Sequence, residues 1–327
     1  MTEISYSTMF FSAAIAFTLT VLLGYPAIPL LRRLKAGQSI REDAPKTHMI
    51  KAGTPTMGGL FIAAAIILAA LFTGGHGKEM LVLVFSVIAF GAVGFLDDFI
   101  KVVLKRNLGL KVKPKMLLLL IFGLALAIAQ LKLGSNGTYV WIPFFNVDVN
   151  FRIFYVPFII FVAAAMTNAV NFTDGLDGLA SGVTLPVAAV LGFAAIGSGF
   201  GAAGIFAGAV AGACAGFLVH NHNPAKVFMG DTGSLALGGA ITAIAVMTNT
   251  TMILPIIGFV YVAEIGSVVI QIIVCRRTRK QGKERRVFRR TPLHHHFEEI
   301  GWSEVRVVLV FSGISVLLSL LGLLIMR

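Results

Sequence analysis

"MLVLVFSVIAFGAVGFLDDFIK", residues 80–101, runs for 17 residues without a charge and then meets two adjacent aspartates. A helix rises about 1.5 Å per residue and the hydrocarbon core of a bilayer is about 30 Å thick, so roughly 20 mostly apolar residues cross it. The stretch reads as a spanning helix that delivers Asp97 and Asp98 to the membrane boundary. The whole chain agrees: of 327 residues 57% are apolar and 13% charged, with a mean hydropathy of +0.88, against about 25% charged in an ordinary soluble domain.

Ten apolar segments are expected to span, at about 9–31, 58–72, 80–96, 116–133, 156–170, 179–196, 201–219, 235–247, 252–275 and 305–326. The shorter ones extend into flanking Gly, Thr and Asn. The fold class that follows is an all-α polytopic integral membrane protein of about ten transmembrane helices, one domain over residues 1–327. No Lys or Arg precedes the first apolar run, so it is read as a retained span rather than a cleaved signal. Cys214 and Cys275 fall in or at the end of spans and give no disulfide framework.

The basic residues set the orientation. Apart from Lys78, Lys132, Arg152, Arg306 and Arg327, all 27 Lys and Arg lie in the loops after the first, third, seventh and ninth segments. Positive loops stay in the cytoplasm, so these loops are expected inside and, with ten spans, both termini outside. The stretch "TYVWIPFFNVDVNFR" (138–152) alternates apolar and polar residues around a central "FFN", which predicts a small extracytoplasmic β-hairpin.

Only 15 acids occur, so their places are informative. Asp97 and Asp98 end the third span, Asp174 and Asp177 follow the fifth, and Asp231 follows the seventh. All five are expected at the cytoplasmic boundary, set among Gly, Asn and Thr. One such pair would be a solvated helix end; five in three loops predict an active site at the cytoplasmic face. Carboxylates with lysines nearby, and no Cys or His at zinc spacing, suit a hard cation such as magnesium, which takes oxygen ligands and substrate phosphates. Glycines in "TDGLDGLASG" and "FMGDTGS" let backbone N–H groups approach a phosphate. Magnesium and basic residues at a bilayer surface point to phosphoryl transfer. Lys51, Thr54 and Thr56 before the second span, and Lys111, Lys113 and Lys115 before the fourth, are candidate phosphate contacts, although basic residues there also follow from topology and anionic lipid.

Glu264 lies inside an apolar run, and an intramembrane carboxylate is a functional-site candidate. It is read as supporting the site or a lipid groove, or as lying near a break after Pro255 and Gly258. His294, His295 and His296 lack the spacing of a zinc site. They are expected in the layer of the aspartates, as hydrogen-bonding groups toward phosphate, sugar or uracil.

Five stretches in this order, "GTPTMGG" (53–59), "GFLDDFIK" (94–101), "NAVNFTDGLDGLA" (168–180), "FMGDTGS" (228–234) and "TPLHHHFE" (291–298), closely resemble the bacterial phospho-N-acetylmuramoyl-pentapeptide transferase family. The acidic motifs alone resemble the wider superfamily of polyprenyl-phosphate N-acetylhexosamine-1-phosphate transferases; the histidine stretch is similar to the muramoyl-pentapeptide branch. The resemblance implies transfer of phospho-MurNAc-pentapeptide from UDP-MurNAc-pentapeptide to undecaprenyl phosphate, giving lipid I and UMP in peptidoglycan synthesis, with Mg2+ as cofactor. It further implies a homodimer in the bacterial inner (plasma) membrane. By the same resemblance Asp231 is the metal ligand, Asp97 a base toward the lipid phosphate with Asp98 beside it, and Asp174 another active-site acid. Gly175, Leu176, Asp177, Asn221 and Phe228 match the uridine pocket, and Lys51, Thr56, Lys113, Asn171, His294, His295 and His296 match catalytic or substrate-binding positions.

Three alternatives compete. A sister enzyme transferring N-acetylglucosamine-1-phosphate would share the Asp motifs but differ in the last cytoplasmic loop. An ion-coupled transporter would use Glu264, yet the acids gather at one face rather than at the midplane. Nucleic-acid binding by "CRRTRKQGKERRVFRR" (275–290) lacks a fold module, so no nucleic-acid partner is expected.

Overall fold

The computed structural model describes residues 6–34, 53–103, 109–280 and 285–326. Its helices are α1 (Tyr6–Arg33), α2 (Gly59–Gly74), α3 (Lys78–Val103), α4 (Val112–Leu133), α5 (Tyr155–Thr173), α6 (Leu179–Gly197), α7 (Gly201–Asn221), α8 (Gly230–Met247), α9 (Leu254–Ile257), α10 (Phe259–Arg279), α11 (Leu293–Glu299) and α12 (Glu304–Ile325). Among the described residues nine are long and apolar enough to cross a membrane, and α2 is a shorter apolar helix of 16 residues. Every expected segment meets a helix. The ninth is broken: a 3-10 turn at Thr251–Ile253 leads into the short α9, and Gly258 separates α9 from α10.

An apolar helix without a polar stripe is either buried in protein or facing lipid. Helix α8 is the buried kind, almost wholly enclosed, with α3 and α5 packed on it. α1, α4, α10 and α12 bury only about a quarter of their most apolar stretch inside the protein and turn residues such as Phe10, Leu117, Ile270 and Leu317 outward. Lipid is as apolar as leucine, so close packing of backbones must hold such helices together. Gly208, Gly212 and Gly216, four apart on α7, meet the backbone of α1 at Met9, Ala13 and Phe17. Gly94 of α3 does the same against the Asp231 carbonyl of α8, where a Cβ would collide with backbone. That contact matters for function, because it brings the end of α3 onto the start of α8.

The expected hairpin is present. Strands β1 (Tyr139–Ile142) and β2 (Val147–Asn150) pair antiparallel, Tyr139 opposite Asn150 and Ile142 opposite Val147. Asn146 takes a positive φ of 50° at the turn and accepts a hydrogen bond from the Trp141 indole at 3.2 Å. The Trp141 N–H donates to Asn249 Oδ1 at 3.2 Å, docking the hairpin on the segment after α8.

Candidate functional site

The C-terminal ends of α3, α5 and α7 and the N-terminal ends of α4, α8 and α12 come together at one end of the bundle, joined by hydrogen bonds. The anchor is the start of α8. A helix leaves its first N–H groups without internal partners and carries partial positive charge there. Here those donors are met by another helix: Asp98 accepts from Asp231 N–H (3.2 Å), Thr232 N–H (2.9 Å) and the Thr232 hydroxyl (2.7 Å). Gly230, with φ of 75°, makes the turn into α8. Beside it lie Asp98 and the buried Thr56 hydroxyl, both within 3 Å of where a Gly230 Cβ would stand.

Asp97, Asp98 and Asp231 form a carboxylate cluster whose ligand-type oxygens lie within 4.8 Å of one another. Asp97 is 3% exposed and Asp98 fully buried. Asp97 Oδ1 accepts the Leu110 N–H at 2.9 Å, and Oδ2 pairs with Lys101. Asp231 Oδ2 receives two ammonium groups, Lys115 at 2.8 Å and Lys101 at 3.2 Å, while Oδ1 accepts the Asn171 amide at 3.0 Å. Asn171 also donates to Ser234 Oγ (2.8 Å), so Asp231 is oriented from α5 as well as neutralised from α3 and α4. Three convergent carboxylates are a donor set that could hold a divalent cation, since hard cations take carboxylate oxygens.

Asp174 follows α5. Burial first, then the negative charges of Asp231 and Asp98, push its carboxyl up to about 8; the Gly230 N–H pulls the other way. Leu176 and Asp177 are both buried. Asp177 Oδ2 accepts from Asn223 (3.1 Å) and from the Ala225 N–H (3.0 Å). Asn221 locks the same turn by accepting the Gly178 N–H (2.9 Å) and donating to the Val227 carbonyl (2.8 Å). Half-buried Phe228 donates its N–H to the Pro55 carbonyl and accepts from Gly58, joining the 53–59 segment to the start of α8.

The histidine triplet divides. His294 is fully buried, its Nδ1 3.1 Å from Oε1 of Glu264, itself fully buried on α10. The His294 N–H also faces Glu264 Oε2 at 3.4 Å. The other edge of the ring presses on Gly175, leaving no room there for a Cβ. His295 pairs with Glu298 at 2.8 Å, and burial holds its imidazole below the usual value against the opposing pull of that carboxylate. His296 Nδ1 accepts the Arg289 N–H at 3.2 Å.

The aspartates, Asn171, Thr56, the uridine-pocket candidates and the histidines are thus brought to one end. Lys113 is exposed on the first turn of α4, and Lys115, two residues on, is the one of these two that reaches Asp231. Lys51 lies outside the described residues. Sequence reasoning passed over Lys101, whose signal was its place four residues after Asp97 on one helix face, as well as Thr232, Ser234, Asn223 and Glu304, which had no signal beyond their neighbourhood.

Comparison with known proteins adds three findings. A profile described as Glycosyl transferase family 4 matches residues 80–249. A phospho-N-acetylmuramoyl-pentapeptide-transferase signature matches residues 51–62. Among curated relatives, proteins named phospho-N-acetylmuramoyl-pentapeptide-transferase from Clostridioides difficile (46% identical, covering 98% of this chain and 96% of the relative), Alkaliphilus metalliredigens (47%, 98% and 98%) and Desulforamulus reducens (48%, 98% and 96%) align over nearly their whole length.

Proposed function

This chain belongs to the phospho-N-acetylmuramoyl-pentapeptide transferase family, and from that premise we propose how its site works. The reaction is transfer of phospho-MurNAc-pentapeptide from UDP-MurNAc-pentapeptide to undecaprenyl phosphate, forming lipid I and UMP for peptidoglycan synthesis. The observation that carries the chemistry is the Asp97–Asp98–Asp231 cluster at the mouth of α8, with Lys101 and Lys115 folded onto it. The protein acts as a multi-pass membrane enzyme of the bacterial plasma membrane, one transferase domain working as a homodimer. Both termini and the hairpin lie outside, and the site opens to the cytoplasm; the excess of Lys and Arg in the loops at the site's end supports that orientation.

Asp231, aided by Asp97, would hold Mg2+, and the fit rests on the all-oxygen donor set. When bound, the cation supplies charge neutralisation on the donor's pyrophosphate and on departing UMP. An oxygen of the lipid phosphate attacks the donor's β-phosphorus; the bond from that phosphorus to the bridging oxygen breaks, and UMP leaves with the oxygen and its electron pair. Asp97 faces the acceptor phosphate and holds any proton it carries. Lys101 and Lys115 turn from Asp231 toward phosphate oxygens, with Thr56 and Asn171 beside them; Lys51 and Lys113 are further phosphate contacts by the family resemblance. Asp98 is occupied with the donors of α8 and serves to hold Asp231 in place, which favours direct attack over a phosphorylated Asp98. Asp174 borders the phosphates. Gly175, Leu176, Asp177, Asn221 and Phe228 hold the uridine. The histidines support donor binding: His294 sets the Gly175 turn from beneath, His295 stacks beside it, and His296 is a further donor contact by the family resemblance.

The test is UMP release by purified protein. It should require Mg2+, undecaprenyl phosphate and UDP-MurNAc-pentapeptide, and fall to background in Asp231→Asn. Turnover with UDP-GlcNAc alone would move the chain to the sister reaction, and a 32P-labelled Asp97 or Asp98 trapped during turnover would replace direct attack by a two-step path.

A further inference from the structure

Glu304 opens the last spanning helix, far from every motif of the site in sequence. A first-turn glutamate after a capping serine ordinarily faces solvent and complements the helix dipole, and Ser303 does cap α12 by accepting the Arg306 N–H at 3.3 Å. The Glu304 carboxylate is instead used across the fold. Its Oε1 accepts the backbone N–H of Asp177 at 2.7 Å, across 127 residues of chain, and its Oε2 accepts the Asn223 side-chain amide at 3.0 Å, across 81. The same Asn223 nitrogen donates to Asp177 Oδ2. One amide therefore bridges two carboxylates, and Glu304 grips both the 174–178 turn and the 222–229 segment. Asn221 ties the same two pieces on their buried side, through Gly178 and Val227.

We propose that Glu304 is a positioning residue for the nucleotide end of the donor, fixing the gap between the Asp177 turn and the 222–229 segment that carries Phe228; this rests on the functional reading above. The two ties play different parts. Asn221 is buried within the fold, whereas Glu304 reaches both segments from the first turn of α12. Its carboxylate also sets the direction of Asp177, because the Asn223 amide can satisfy both acids only while both stay in place. Glutamine keeps one oxygen acceptor and loses the second; alanine loses both. Hydrogen bonds to charged groups are the strong ones, so releasing this grip weakens nucleotide binding while leaving the carboxylate cluster and the lipid side alone.

Glu304→Ala should raise KM for UDP-MurNAc-pentapeptide about tenfold or more, with kcat within about threefold, KM for undecaprenyl phosphate unchanged and Mn2+ binding at the cluster unchanged. Glu304→Gln should fall between the variant and the parent. Hydrogen exchange in residues 174–178 and 222–229 should quicken in Glu304→Ala, a readout that does not depend on turnover. Unchanged exchange there, or a loss confined to kcat, or equal rises in both KM values, overturns the proposal. Failure of the parent protein to turn over this donor would instead overturn the functional reading, and the exchange measurement would still decide the tie.

Discussion

Replacing Glu264 by methionine removes a carboxylate from the interior and keeps about the same length of side chain. In the native fold that carboxylate lies 3.1 Å from His294 Nδ1, with the His294 backbone N–H at 3.4 Å, and neither residue has any exposed surface. Water cannot substitute for the lost acceptor. Taking one partner out of a buried polar contact leaves the other group buried without it, which costs about 1–3 kcal/mol. At about 2.1 cal/mol/K of unfolding entropy per residue, that cost lowers the melting temperature of a chain of this length by about 1–4 °C.

The double variant Glu264→Met with His294→Leu separates this account from simple damage to the core. With both polar groups replaced by apolar side chains of similar volume, no buried group is left without a partner, so most of the lost stability should return, while activity is lost because the imidazole under Gly175 is gone. The assay is thermal unfolding in detergent beside UMP release. A single variant within about 1 kcal/mol of the parent, or a double variant whose losses simply add, would refute the reasoning.

Three further outcomes follow from the same geometry. Asp98→Asn keeps the shape but offers one acceptor oxygen to three donors at the start of α8; activity should fall by about a hundredfold or more, with stability lower by about 1–3 kcal/mol, read by UMP release and unfolding. Lys115→Met strips the shorter of the two ammonium contacts from Asp231 and should cut turnover strongly while strengthening Mn2+ binding to the cluster, followed by electron paramagnetic resonance. Asp174, with its carboxyl raised to about 8, holds a proton in the fold across a range where the unfolded chain has lost it, so stability should fall as pH rises from about 4 to 8; Asp174→Asn should flatten that part of the melting-temperature profile.

The span pattern was legible because seventeen uncharged residues in a row admit little besides a membrane or core helix, and the hairpin because alternation around "FFN" has a single period. The break between α9 and α10 was signalled by Pro255 and Gly258. The motif acids could be gathered to one face by counting spans. What the chain order could not reveal is which lysine reaches which acid. Lys113 and Lys115 are two residues apart on α4, about 200° around the helix, so only one can face Asp231, and the choice depends on how α4 is rotated against α3 and α5. The partner of Glu264 was hidden for a related reason: a polar contact across 30 residues between α10 and α11 has no periodicity to announce it.

The doublet Asp97–Asp98 shows how the fold assigns chemistry to adjacent identical residues. Neighbours on a helix point about 100° apart, so the two carboxylates cannot serve one partner set. Asp98 turns toward α8, where two N–H groups of the helix start and the Thr232 hydroxyl hold it by three hydrogen bonds. Asp97 turns toward Lys101 and Leu110, at the edge where the loop before α4 arrives. Gly94 supports both orientations, since there α3 comes against the Asp231 carbonyl and Asp98 reaches the first turn of α8. A leucine at 94 would therefore disable the site without touching a polar atom: α3 would be pushed from α8, Asp98 would lose its donors, and Asp231 would lose the frame that aims it at Lys101 and Lys115. Loss of Mn2+ binding in Gly94→Leu, with the helical content unchanged by circular dichroism, is the expected result; retained binding would mean that Asn171 and Lys115 keep Asp231 in place without the α3 contact.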